Sequence, residues 1–146
     1  MWLHLAVCLW FVNVSLPMTL SIDSETLTDA PVDIIASANG EFGFLFVGGA
    51  NTVEANQSSY NGGGGFIFCC DDNSTVSLNH AEGNGLNGFE VFASTGNTFT
   101  RNRSSNNGRP ASGFGIADFR PGSNTYTDNL CTGNGLGDSD PPGLCR

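Results

Sequence analysis

From Asn39 onward the chain alternates apolar and polar residues in short runs, and each run is cut off by asparagine or glycine. Such alternation has the period of a strand. No window after Ser21 carries the three-to-four-residue apolar spacing of a helix. The runs also recur. "NTVEAN" begins at Asn51, "STVSLN" at Ser74, "NTFTRN" at Asn97 and "NTYTDN" at Asn124, in steps of 23, 23 and 27 residues. Each hexamer ends in asparagine (Asn56, Asn79, Asn102, Asn129), and an Asn-Gly pair follows five residues later, as at Asn61-Gly62 and Asn84-Gly85. An apolar run then opens: "GFLF" from Gly43, "GFIF" from Gly65, "GFEVF" from Gly88 and "GFGI" from Gly113. The longer step is expected to come from extra loop residues in "RPA" (109–111) and "RPGS" (120–123).

A strand repeat of this period predicts an all-β solenoid of about five coils, each lying about 4.8 Å above the last. Equivalent residues then form columns. Val53, Val76, Phe99 and Tyr126 make one apolar column; Phe44, Phe66, Phe89 and Phe114 make another. Ser58, Ala81, Ser104 and Cys131 make a column of small residues. The asparagine columns are expected to be structural: Asn accepts left-handed backbone at turns, and stacked amides donate and accept along a ladder.

This N-T-[VFY]-x-x-N…N-G…G-F pattern, from Asn39 to Cys145, resembles the right-handed parallel β-helix repeats of the pectin-lyase-like superfamily, especially its NosD-type branch. The resemblance implies the fold, and as themes carbohydrate binding or processing and, in one subgroup, periplasmic copper delivery. His80 stands in a column with Gln57 and Arg103, without Met or Cys partners, so the copper role is not carried over. Pectin-lyase-like enzymes generally have more coils, which suggests a degenerate helix or the carboxyl-terminal part of a larger one.

Length and charge narrow the function. The 146 residues make one domain, expected over 22–146 with a terminal coil at 124–146. There is no Lys, all five Arg lie from Arg101 onward, and the net charge is −9. A phosphate backbone would be repelled, so nucleic acid is a poor partner. Anionic polysaccharide would need bridging Ca²⁺, whereas neutral glycan would be accepted. Residues 1–21 resemble a signal peptide with an apolar core from Trp2 to Val14, too short for a membrane span, though no Lys or Arg precedes it. The expectation is therefore export, to the medium or the cell surface.

The cysteines agree with export. Cys131 and Cys145 flank the last glycine-rich loop and are expected to form a disulfide. Cys69 and Cys70 should point to opposite faces of a strand, one of them a core thiol, with metal binding by the pair the weaker alternative. Asn56, Asn73 and Asn102 open N-x-[ST] sequons, which Asn- and Ser-rich repeats generate by chance.

Sugar chemistry needs carboxylates facing one bound ring, or a base with a Ca²⁺ or Arg neutraliser. The candidates are Asp71, Asp72, Glu90, Asp118 and Arg120. Counted from each Phe, Asp118 shares a column with Cys70 and Ala93, and Asp72 with Thr95 and Arg120. That arrangement would give an acidic groove in which Asp71, Asp72 and Asp118 could hold Ca²⁺; the plainer reading is solvated turn residues. No other cofactor is implied. Thr52, Thr75, Thr98 and Thr125 add an outward threonine rank of the kind found on ice-binding faces. The reading that best fits all this is an exported, noncatalytic repeat domain that interacts with glycan. The rivals are a fragment of a polysaccharide lyase, hydrolase or epimerase, and a structural, adhesive or ice-binding surface protein.

Overall fold

The computed structural model describes residues 34–146 and, before them, three strands at Leu3–His4, Asn13–Val14 and Leu20–Asp23. The rest of the leader expected over 1–21 lies outside the described residues. All paired strands are parallel and build three walls. One wall has seven strands, stacked in the order β1 (Leu3–His4), β3 (Leu20–Asp23), β5 (Phe44–Gly49), β8 (Phe66–Asp72), β11 (Phe89–Phe92), β14 (Phe114–Asp118) and β17 (Gly137–Asp140). A four-stranded wall stacks β6 (Thr52–Glu54), β9 (Thr75–Ser77), β12 (Thr98–Thr100) and β15 (Thr125–Thr127). A six-stranded wall stacks β2 (Asn13–Val14), β4 (Ile35–Ser37), β7 (Gln57–Ser59), β10 (His80–Glu82), β13 (Arg103–Ser105) and β16 (Leu130–Thr132). Each coil visits the three walls in turn. The chain is a parallel β-solenoid.

The column of Val53, Val76, Phe99 and Tyr126 is in register along the four-stranded wall. Ser58, Ala81, Ser104 and Cys131 are likewise aligned. Between them the core is a stack of rings: Phe44, Phe66 and Phe89 follow one another at 4.8 Å between centroids, all fully buried. A second stack, Phe46 on Phe68, meets Phe99 edge-on at 5.2 Å, and Phe99 lies flat on Tyr126 at 5.0 Å. Stacked aromatics suit a thin coil, whose core side chains find most of their neighbours one coil above and one coil below.

One predicted column is corrected. Ile116, not Phe114, continues Phe44, Phe66 and Phe89; Phe114 pairs with Gly137 and is half-buried. The cause is the placement of the inserted residues. Asn84 and Asn107 are still 23 apart, whereas Asn87 already bonds Phe114 from 27 away. The whole insertion therefore lies in the loop after Asn107, and "RPGS" contributes none of it.

The asparagine columns are ladders, built differently from the expected left-handed asparagines. The left-handed residue is the one before each rung: Ala55, Leu78, Arg101 and Asp128 precede Asn56, Asn79, Asn102 and Asn129, with φ of 55–58°. That turn swings the asparagine side chain into the core, where all four rungs are buried. The Asn79 Oδ1 accepts from the Asn56 backbone N–H (2.9 Å) and Nδ2 (3.2 Å) below. Its own Nδ2 donates to the Val53 carbonyl and to the Asn102 Oδ1 above. The glycine after Asn84 has a steric reason, since a Cβ on Gly85 would sit 2.2 Å from the Gly62 carbonyl oxygen. Close stacking of coils demands it.

Candidate functional site

The register decides where each candidate acid lies. Asp118 aligns with Val91, which aligns with Phe68 and through it with Phe46, so it belongs to an inward column. The expected alignment with Cys70 and Ala93 is thus corrected, for the same reason as Phe114. Asp118 is 4% exposed; its Oδ2 accepts from Tyr126 Oη (2.8 Å) and Asn124 Nδ2 (3.1 Å), and its Oδ1 from the Arg120 backbone N–H. Burial, then the bond to Asp118, holds the Tyr126 phenol far above its ordinary pKa.

Asp71 is fully buried at the corner entering the four-stranded wall. Its Oδ1 accepts from Asn51 Nδ2, while its Oδ2 has no partner. Burial pushes this carboxyl above the usual range, against the lowering effect of the Ser74 hydroxyl and the Asn51 amide beside it. Asp72 is half-buried, and its Oδ1 accepts from the Thr95 backbone N–H (2.6 Å) and Oγ1 (2.9 Å). Arg120 is exposed. The acidic groove does not form, because two of its acids point into the solenoid. Among the described residues no three His, Cys, Asp or Glu side chains come together to hold a metal ion, so Asp71, Asp72 and Asp118 do not converge on one Ca²⁺. The disulfide between Cys131 and Cys145 is present.

What the outer surface presents instead is apolar. On the seven-stranded wall, residues alternating with the inward phenylalanines face out. One outward column runs Leu45, Ile67, Glu90, Ala117, with Ile67 and Ala117 themselves covered, and the next runs Val47, Cys69, Phe92. Phe119 continues the second column: its ring lies on Phe92 at 4.5 Å, the two planes 16° apart. Phe119 is 53% exposed and Phe92 39%, so an aromatic pair stands in solvent on a chain of net charge −9. β17 ends at Asp140, opposite Ala117, so no strand residue covers the upper side of Phe119. Glu90, which the candidate acids included, sits in the neighbouring column, its carboxylate accepting from Asn87 Nδ2 at 2.9 Å. The aromatic pair escaped sequence reasoning because Phe92 and Phe119 are 27 apart and align only once the insertion is correctly placed.

On the four-stranded wall Thr52, Thr75, Thr98 and Thr125 are in register and exposed. His80 aligns with Gln57 and Arg103 and lies 3.5 Å from Ser105 Oγ. Among the described residues no helix is long and apolar enough to cross a membrane.

Comparison with known proteins agrees with this geometry at the level of fold. Searches of curated proteins and of solved structures returned no match. A family model, described as right handed beta helix region, matches residues 19–139. With most of its length matched and its strands stacked in parallel coils, the chain belongs to the right-handed β-helix family.

Proposed function

We propose that this is an exported, noncatalytic β-helix domain that binds neutral glycan on the outer face of its seven-stranded wall. The observation that carries the reading is the solvent-exposed Phe92–Phe119 stack beside Glu90. A sugar ring has an apolar C–H face that packs on an aromatic ring, and hydroxyls at its rim that hydrogen-bond a carboxylate or guanidinium. Phe119 supplies the ring, Glu90 an acceptor and Arg120 donors. The acidic surface favours an uncharged polymer over an anionic one. The noncatalytic part is supported by the inward placement of Asp71 and Asp118, which leaves no facing carboxylate pair from the candidate set. Export is supported by the apolar leader and by the Cys131–Cys145 disulfide.

The test is retention on an array of neutral and anionic glycans, followed by Phe119→Ala. Retention of a neutral glycan, weakened about tenfold or more in the variant, is the expected result for an aromatic anchor. Equal binding by the variant, or no glycan retained, would end the reading; release of shortened sugars would favour the lyase or hydrolase fragment instead. The in-register threonine rank supports an ordered-water face as a second reading, and thermal hysteresis of the purified protein is its measure.

A further inference from the structure

Cys69 and Cys70 are neighbours in β8, and regular strand geometry would send their side chains to opposite faces. The chain does otherwise. Cys70 adopts φ of 56°, and the pairing of β5 with β8 shifts there, Val47 facing Cys69 and Gly48 facing Asp71. Cys70 is the extra residue of a bulge, and a bulge re-aims the side chain it carries. Both thiols consequently face outward, Cys69 half-buried and Cys70 exposed, with their sulfurs 3.8 Å apart. The expected core thiol is absent from this pair.

Two thiolates bound at about 2.3 Å to one tetrahedral cation lie about 3.8 Å apart. A disulfide would instead require the sulfurs to close to about 2.05 Å, across neighbouring Cα atoms nearer than the usual 4.4–6.8 Å. The chelate needs no movement, and the disulfide needs a strained one. We propose that Cys69 and Cys70 form a two-thiolate site for a soft, tetrahedral d¹⁰ divalent cation such as Zn²⁺ or Cd²⁺. The site adjoins the glycan face, since Cys69 pairs with Phe92, but it does not depend on that reading. The other two coordination positions open to solvent and take water or an added ligand. Binding forms two metal–sulfur bonds and releases both thiol protons to solvent, with no change of oxidation state.

The experiment is a Cd²⁺ titration of the full chain carrying Cys8→Ser, kept under argon, followed by thiolate-to-metal charge-transfer absorbance and by proton release. One Cd²⁺ per chain, two protons released per ion and protection of two thiols from alkylation are expected. Cys69→Ser and Cys70→Ser should each weaken binding by more than the about 10- to 100-fold attached to losing an outer-shell partner. Both substitutions fall on outward positions, and an unchanged far-ultraviolet spectrum shows that the fold is intact. Absence of the band in the reduced protein, or its survival in the doubly substituted chain, would overturn the site. So would a pair that takes up no cation and is recovered two hydrogens lighter after exposure to air.

Discussion

At the corner between the four- and six-stranded walls the rungs Asn56, Asn79, Asn102 and Asn129 run unbroken above Ile34, whereas at the corner entering the four-stranded wall Ser74 interrupts Asn51, Asn97 and Asn124. In the uninterrupted ladder the Asn79 and Asn102 amide nitrogens each find the amide oxygen above and a carbonyl below. In the interrupted one the Ser74 hydroxyl still accepts the Asn51 backbone N–H at 2.8 Å, but the Asn51 amide turns to Asp71 instead. A buried carboxyl stands in for the missing amide, and its Oδ2 is left without a partner. The two corners teach that a buried polar ladder stabilises a coil only while each rung has the donors and acceptors of the next. A hydroxyl satisfies one of two bonds, and the remainder falls on a group that resists burial.

Breaking the uninterrupted ladder should have the largest effect. Asn79→Ala strands the Asn56 N–H and amide in the core and takes one donor from the Val53 carbonyl. At about 1–3 kcal/mol for each unsatisfied buried group, a loss of about 3 kcal/mol or more is expected in urea unfolding. Asn79→Ser should lose less, since a hydroxyl there can accept the Asn56 N–H as Ser74 accepts that of Asn51. Equal losses for the two variants would mean that the amide contributes nothing beyond its oxygen.

Repairing the interrupted corner should have the opposite sign. Asp71→Asn keeps an acceptor for Asn51 Nδ2 and offers donors to the Asn51 Oδ1, which is also unpartnered. A gain of about 1–2 kcal/mol at neutral pH is expected. The gain should depend on pH in a fixed direction. Because the folded carboxyl has its pKa raised above the ordinary 3.8, folding takes up a proton between those two values. The stability linked to that proton is fully present below pH 3.8 and is lost as pH rises through the folded pKa. The variant lacks this loss, so its advantage should shrink on acidification and widen toward neutrality. Urea midpoints of both proteins across that range are the measurement.

Tyr126→Phe should have the smallest effect. It removes the phenol from Asp118 Oδ2 while Asn124 Nδ2 still donates there. A loss of about 1 kcal/mol is expected, with the ring stack on Phe99 preserved. A much larger loss would show that Asp118 is held in the core by Tyr126 alone.

The coil and most of its register were legible because a solenoid repeats locally: the hexamers, the small-residue column and the Val53–Tyr126 column align by counting. Counting failed once, at the loop after Asn107, where the inserted residues could be divided between two loops at no cost to the pattern. That single ambiguity moved Asp118 from the core to the surface and hid the alignment of Phe119 with Phe92. The disulfide was legible because Cys131 and Cys145 flank one loop. The orientation of Cys69 and Cys70 was not, because a bulge is a backbone choice that alternation cannot reveal.

The sequence by itself determined that this chain winds into parallel coils, since equivalent residues at a near-constant interval can satisfy their backbones and bury their rings only against one another. Only the tertiary structure decided which acids are buried, which aromatics stand in solvent and that both neighbouring thiols face out. Those outcomes turn on the register of one inserted loop and on left-handed residues at single positions, where a shift of one or two residues changes a side chain's neighbours or its face.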